Sequence, residues 1–231
     1  MKVLICGCER SGTTIIAKLL AKASDLKLLN DPKESWYIYP LVRVMGIKSM
    51  PISFILKLWK SDIVKVPGFA TILPELKKIN LRNFKVIYLV RDPRDNYAAI
   101  KERLAEDLNG LFLNINFLNL KGNSKAENIA LRWNSYLDSA LSFNQDNGNV
   151  YFLKYEDFLD DKMNKIKEIA EFCGTRFQSE QIINDLDNQI NKSWSDKIYG
   201  EGRYKSELED NEIETIVRIT KKNMEIFNYL E

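Results

Sequence analysis

The sequence predicts an α/β protein: a parallel β-sheet flanked by helices on both faces, a three-layer sandwich. Three observations carry that expectation. Short, strongly apolar runs fit strands buried on both faces, and they alternate along the chain with segments of helical period. The first run leads through "ICGCERSGTT", with Gly7 and Gly12 five residues apart, directly into a helical segment. Two charge-rich clusters, "GCERSGTT" and "RDPRD", each fall at the carboxyl end of a predicted strand, where parallel sheets bind ligands.

The elements follow in order. "KVLIC" is a strand, and "TTIIAKLLAKAS" is a helix with apolar residues at 15, 16, 19 and 20. "LKLLN" is a short second strand. "DPKESWYIYPLVRVM" and "PISFILKLWKS" read as helical or irregular and rich in aromatics. "DIVKVP" is a third strand, stopped by Pro67, and a helix is expected over 69–79, with Leu73, Leu76 and Ile79 on one side. "FKVIYLV" (84–90) is the clearest buried strand; Pro93 breaks it and suits the first turn of the helix "RDNYAAIKERLAE". "LNGLFLNINFLNLKGN" has no stable period and is expected to be a flexible surface segment near the site, a lid or a partner-binding edge. "AENIALRWNSYLDSALSF" is an amphipathic helix, "NVYFLKYEDF" a strand, and "DKMNKIKEIAEFCG" a helix closed by Gly174. A short helix over 178–187 leads into the aperiodic "NKSWSDKIYGEGRYKS", and a final helix covers "EDNEIETIVRITKKNMEIFNYL". No repeat, low-complexity tract or linker divides the chain, so one domain over 1–231 is expected.

The totals set the bounds. With 45% hydrophobic and 29% charged residues, the 231-residue chain has the composition of an ordinary globular protein. A net charge of +2 gives no general argument for binding nucleic acid or membranes, though it leaves room for a local basic pocket. Three cysteines, Cys6, Cys8 and Cys173, argue against a disulfide framework and for a reducing compartment. Cys6 and Cys8 are expected to point in different directions, and the chain contains no histidine to complete a ligand set, so no metal is expected. The N-terminal residues show no signal-peptide pattern and no run is long enough to span a bilayer, so a soluble cytoplasmic protein is expected. Oligomeric state is not legible.

The glycine loop raises the chemical question. Gly7 permits a sharp turn after the strand, and Gly12 permits close approach to a ligand. The amides near 10–14 face an anion at a helix N-terminus, with Ser11, Thr13 and Thr14 adding hydroxyls and Arg10 a permanent charge. A serine/threonine-capped turn without ligand is the competing reading. The spacing is that of a P-loop nucleotide hydrolase, but the position of the P-loop lysine holds Thr13. Without that lysine the loop suits a shorter anion and no obligatory metal. At the second cluster, Arg91 can fork onto a phosphate.

"CERSGTTIIAKLL" followed by "VIYLVRDPRDNYAAIKERL" resembles the sulfotransferases that use 3′-phosphoadenosine 5′-phosphosulfate (PAPS) and release adenosine 3′,5′-bisphosphate (PAP). "DIVKVP", "LRWNSYL", "LKYEDFLDD" and "GEGRYKSEL" are weaker echoes of the same family. The resemblance implies that Arg10, Ser11, Gly12, Thr13 and Thr14 cradle the 5′-phosphosulfate. It gives Arg91 the 3′-phosphate, and has Arg203, with Tyr204 or Lys205, close over the cofactor. A solvated charged loop is the alternative for the last three. Arg94, Asp95, Glu156 and Asp157 are read as structural. The chain departs from the family's pattern at Ala99, where a serine usually shares the 3′-phosphate, with Asn96 and Tyr97 as nearby substitutes, and at Ile15, where a tryptophan often stacks on adenine.

Sulfonate transfer needs positioning, charge stabilisation and often a base for the acceptor proton. The small-molecule members of the family use a histidine at the third strand end. Here that segment is "VKVPG", and Lys65 either steadies charge on the bridging oxygen or is an ordinary edge-of-site lysine. The resemblance to bacterial and carbohydrate-type members puts the base in "LLNDPKESW", at Asp31 or Glu34; Asp31 also reads as a helix cap. Segment 35–61 either lines an acceptor pocket or packs as core. A small-molecule, sugar or lipid acceptor is expected as partner, with no nucleic acid. A P-loop-type kinase and a non-catalytic PAP-binding protein are the alternatives.

Overall fold

A computed structural model describes residues 2–79, 84–104, 110–147, 149–186 and 201–230. Among these residues five strands form one parallel sheet: β1 (Lys2–Gly7), β2 (Leu28–Asn30), β3 (Ile63–Lys65), β4 (Phe84–Val90) and β5 (Val150–Lys154), in the order β2-β3-β1-β4-β5. The first strand is therefore central. The chain leaves it to build β2 and β3 on one side, then returns to build β4 and β5 on the other. That reversal opens a crevice at the carboxyl end of β1, the usual ligand position in such sheets.

Alternation along the strands explains the two covered faces. Val3 and Ile5 of β1, with Ile87 and Leu89 of β4, pack against Ile16, Leu19 and Leu20 of α1 (Thr13–Ser24) and Ile166 and Ile169 of α8 (Lys162–Cys173). Leu4 and Cys6, with Val86 and Tyr88, point the other way. They meet Ile38 and Val42 of α2 (Ser35–Met45), Phe54 and Leu58 of α3 (Ile52–Lys60), and Trp133, Tyr136 and Leu137 of α6 (Lys125–Asn147). The predicted α/β architecture is present.

Several local expectations change. Segment 69–79 divides into a 3-10 turn, Pro67–Ile72, and the short helix α4 (Leu73–Lys77). "KYEDF" leaves the sheet at Lys154 and forms α7 (Tyr155–Asp160). The 178–187 helix is a 3-10 turn, Ser179–Gln181, followed by α9 (Ile183–Leu186), and residue 187 lies outside the described residues. The aperiodic stretch 191–206 lies outside them up to 200, and its described end enters α10 (Tyr204–Glu207). Helix α11 (Asp210–Ile226) lies within its expected range, α5 (Pro93–Lys101) ends before the expected "ERLAE", whose last two residues lie outside the described ones, and Gly174 closes α8 with φ 63°.

Two corrections have clear causes. The described part of the supposed surface segment, 110–123, contributes Ile115 and Leu118 to the core. Its start is held by a buried arginine that binds the Leu111 and Asn114 carbonyls, and the rest has only the single 3-10 turn Asn116–Leu118, too short to leave a period in the sequence. Cys6 and Cys8 do not diverge; both thiols lie buried in the same core cluster, since residues two apart at a strand end share a side. Among the described residues no cluster of three or more His, Cys, Asp or Glu is placed to hold a metal, and no helix is long and apolar enough to cross a membrane.

Candidate active site

The turn after β1 is built by two glycines. Gly7 has φ 147°, and a Cβ there would lie 2.5 Å from the Leu89 carbonyl oxygen on the adjacent strand. Gly12 has φ 92°, and a Cβ there would lie 2.5 Å from the Tyr155 ring. Between them Arg10 takes a left-handed φ of 69°, an uncommon conformation for a side-chain-bearing residue that costs about 1–3 kcal/mol and concentrates at functional sites. No side chain caps α1 at Gly12, so its first N–H groups keep no capping partner from the loop. Ser11 is fully buried, with its hydroxyl accepting from Asn96 Nδ2 at 3.2 Å, while the same Asn96 amide donates to the Glu9 carbonyl at 2.7 Å.

Register brings the second predicted cluster against this loop. Gly7 pairs with Leu89, so Arg91 emerges two residues further on, beside residues 9 and 10. Arg91 donates from Nη1 to the Arg10 carbonyl at 3.0 Å and lies over the Tyr155 ring at 4.8 Å. It is buried, and among the described residues its Nε has no hydrogen-bond partner; nor does the buried Nε of Arg10. Burial lowers the Arg10 pKa, with Arg103, Arg91 and Arg203 pushing the same way and Glu102 opposing them. Arg91, Arg103 and Arg203 thus all repel the charge on Arg10, and Glu102 offsets part of that. Two buried donors without partners, uncapped helix amides and a surplus of positive charge together fit a multiply charged anion such as PAPS.

Tyr155 was not among the predicted site residues. It fills the space between Gly12 and Arg91. The signal available in the sequence is its place in "LKYEDFLDD", directly after the strand that ends at Lys154. Glu156 is structural, as expected: Oε1 accepts from the Asp92 N–H at 3.0 Å and Oε2 from the Tyr229 hydroxyl at 2.7 Å.

Asp31 and Lys65 meet on the other side of β1. Asn30 pairs with Lys65 across β2 and β3, which puts Asp31 just past the strand end. Lys65 Nζ lies 3.2 Å from Asp31 Oδ2. Lys65 is buried, not an edge lysine. Burial lowers its pKa against the pull of Asp31, and burial raises the pKa of Asp31 against the pull of Lys65. Asp31 has φ 45° and accepts from the Ser35 hydroxyl at 3.4 Å rather than from a helix N–H, so it is not the N-cap of α2. Glu34 faces outward, half exposed and paired with Lys57; that hydrogen bond lowers its pKa. The structure therefore does not bring Glu34 to the other site residues.

The sequence reading missed the polar core of the site. Glu9 is buried and receives a two-point grip from Arg132 of α6, Nε to Oε2 at 3.0 Å and Nη2 to Oε1 at 2.7 Å. Arg132 also donates to Tyr39 Oη at 3.0 Å, and its Nη1 donates to the carbonyls of Leu111 and Asn114. Its neighbour Trp133 donates to the Arg91 carbonyl at 3.1 Å. One turn of α6 thus fixes the loop after β1, the strand end after β4 and segment 111–114. In "LRWNSYL" the tryptophan makes one of these contacts and the arginine beside it makes the rest.

The C-terminal loop is held by Asp95, which accepts from the N–H groups of Gly202 at 2.7 Å and Tyr204 at 2.9 Å. Arg203 is buried, bound by Glu207 at 2.6 Å and Glu102 at 3.5 Å, while still acting on Arg10. Tyr204 lies under Arg94 at 4.2 Å. With Lys205, Asp92, Arg94, Glu201 and Gly202 it lines a polar hollow of about 180 Å³ that includes no glycine-loop residue. Arg94 pairs with Asp92, whose side chain caps α5. Ala99 is buried; Asn96 is turned to the loop and Tyr97 to Glu212, so neither stands in for the absent serine as a free donor.

A parallel sheet with a glycine loop after its central strand and an arginine at the neighbouring strand end defines a P-loop-like fold. Residues 1–197 match the family model described as the sulfotransferase domain, so the chain belongs to the sulfotransferase domain family, whose enzymes are PAPS-dependent sulfotransferases. Solved structures of similar fold include sulfotransferase STF9 from Mycobacterium avium, with TM-score 0.63 and 13% identity over 97% of this chain and 76% of that one. Mouse sulfotransferase SULT7A1 complexed with PAP gives TM-score 0.62 and 15% identity over 97% and 84%. Retinol dehydratase in a complex with retinol and PAP gives TM-score 0.56 and 18% identity over 96% and 81%. No curated protein sequence matches the chain.

Proposed function

We propose that this chain transfers a sulfonate group from PAPS to a hydroxyl or amine of a small-molecule, carbohydrate or lipid acceptor, with Asp31 as the base. It would act as one domain in the reducing cytoplasm, in keeping with three free, buried cysteines. The observation that carries the reading is the pair of buried guanidinium nitrogens on Arg10 and Arg91, without partners among the described residues, at the mouth of a helix with no side-chain cap.

Bound PAPS supplies an activated sulfonate whose leaving group is a phosphate. The α1 amides, Thr13, Thr14 and Arg10 would bind the negative charge on the 5′ side, and the hydroxyl of Ser11 supports the loop from behind. Arg91 would bind the 3′-phosphate through its unpartnered Nε edge, with Arg203 adding charge. Tyr204 and Lys205, in their own hollow, would serve the rim at most. Asp31, its pKa raised by burial, would take the acceptor proton at Oδ1 or Oδ2, and Lys65 at 3.2 Å would hold that carboxylate and balance charge. Trp36, partly exposed and edge-on to Phe112, stands close to Asp31 in sequence and favours an acceptor with an apolar or ring-shaped part.

Thermal shift tests the reading. PAP without metal should raise the melting temperature in proportion to the logarithm of its concentration. Stabilisation by ATP with magnesium and not by PAP would support a kinase instead. Mass spectrometry of an acceptor panel after incubation with PAPS should show a sulfonated product.

A further inference from the structure

Segment 35–61 was expected either to line a pocket or to pack as core, and the structure divides it. Ile38, Tyr39 and Val42 of α2 and Phe54 and Leu58 of α3 face inward. The opposite faces are apolar too, and exposed: Tyr37, Leu41, Val44 and Met45 on α2, and Ile52, Leu56 and Trp59 on α3. Tyr37 is 70% exposed and Ile52 76%. Each set recurs at intervals of three or four residues, so each is one helical stripe. The Glu34–Lys57 ion pair ties the start of α2 to the last turn of α3, and the short 3-10 turn Ile47–Ser49 joins their other ends. The two stripes therefore run antiparallel on one hairpin.

Apart from Glu34, the N-cap of α2, the charges on this hairpin are all basic. Residues 35–61 contain Arg43, Lys48, Lys57 and Lys60 and no acidic residue, while the rest of the chain carries 30 basic and 32 acidic residues. All four cations are exposed. Lys57 is paired with Glu34, and Glu75 lies within the electrostatic reach of Arg43; Lys48 and Lys60 have no carboxylate partner among the described residues. We propose that the exposed face of the α2–α3 hairpin docks on an anionic lipid surface, with its apolar stripes in the headgroup boundary and its lysines on lipid phosphates and carboxylates. Amphipathic helices with apolar and aromatic residues ringed by lysine bind membranes this way, and Trp59 is the residue type that settles at that boundary. Self-association through the same face fits less well, because a two-fold contact would set like charges against each other.

The test is co-sedimentation of the full chain with vesicles of phosphatidylcholine containing about a third phosphatidylserine, against phosphatidylcholine alone. Binding should need the anionic lipid and fall with salt. The exposed Lys48→Glu/Lys60→Glu pair and, separately, Ile52→Ser/Trp59→Ser should each weaken it about tenfold or more, while Ile226→Ser on α11 changes nothing. Circular dichroism confirms that the variants fold. Trp59→Phe should remove the blue shift of tryptophan emission on vesicle addition. No binding, equal binding to both vesicles, or binding that survives both double variants overturns the proposal. A concentration-dependent dimer in light scattering, abolished by Ile52→Ser/Trp59→Ser with no vesicle binding, would assign the face to self-association instead.

Discussion

Arg132 grips Glu9 across 123 positions of sequence through two charge-assisted hydrogen bonds, and neither residue is exposed to solvent. The pair joins α6 to the loop that carries Arg10, Ser11 and Gly12, so the shape of that loop depends on a residue far along the chain. Removing one partner leaves a buried charge without its counterion. Arg132→Met should lower the free energy of unfolding by about 3–5 kcal/mol in urea denaturation. The double variant Glu9→Leu/Arg132→Met should recover part of the loss, since no lone charge remains buried. A single variant as stable as the parent would show that the pair does not fix the loop.

Asp31→Asn should leave PAP affinity unchanged and reduce turnover by about 10²–10⁴-fold. The base works ionised, so activity should rise with pH through the pKa of Asp31, which burial places above the ordinary aspartate value. The acid limb of the kcat/KM profile should vanish in Asp31→Asn. Glu34→Gln, on the surface beside Lys57, should keep both turnover and profile.

Arg91→Ala should cost about tenfold or more in PAP affinity, the worth of a charge-assisted contact, and leave affinity for adenosine 5′-phosphate much less changed. Isothermal titration with the two ligands measures the ratio. Equal losses for both would place Arg91 under the loop as a support rather than on the 3′-phosphate.

Gly12→Ala should disturb both loop and ligand. The new methyl would lie 2.5 Å from the Tyr155 ring at a φ that alanine avoids. A loss of about 1–3 kcal/mol in stability is expected, with weakened PAP binding in the same titration. Combining it with Tyr155→Leu should relieve the clash and restore part of the stability, leaving the backbone strain.

The sequence by itself determined the sheet, the glycine turn and the direction of the chain through both. Runs such as "KVLIC" and "FKVIYLV" are apolar on both faces, and only a strand covered twice accommodates that; the loop glycines mark backbone that no other residue adopts without strain. It also marked Asp31, Lys65, Arg10 and Arg91 as residues at strand ends, because where a run stops is a local property. Tertiary structure alone decided who meets whom. Register across β2 and β3 set Lys65 on Asp31, and register across β1 and β4 set Arg91 under Arg10. Glu34 turned outward to Lys57, three residues from a carboxylate that turned inward, and nothing in the spacing distinguishes them. Segment 111–114 is held by Arg132, whose hydrogen bonds to carbonyls leave no pattern in the residues they bind. Periodicity reports which side of an element is buried; the identity of a partner a hundred residues away is fixed by strand order and packing, which no local window contains.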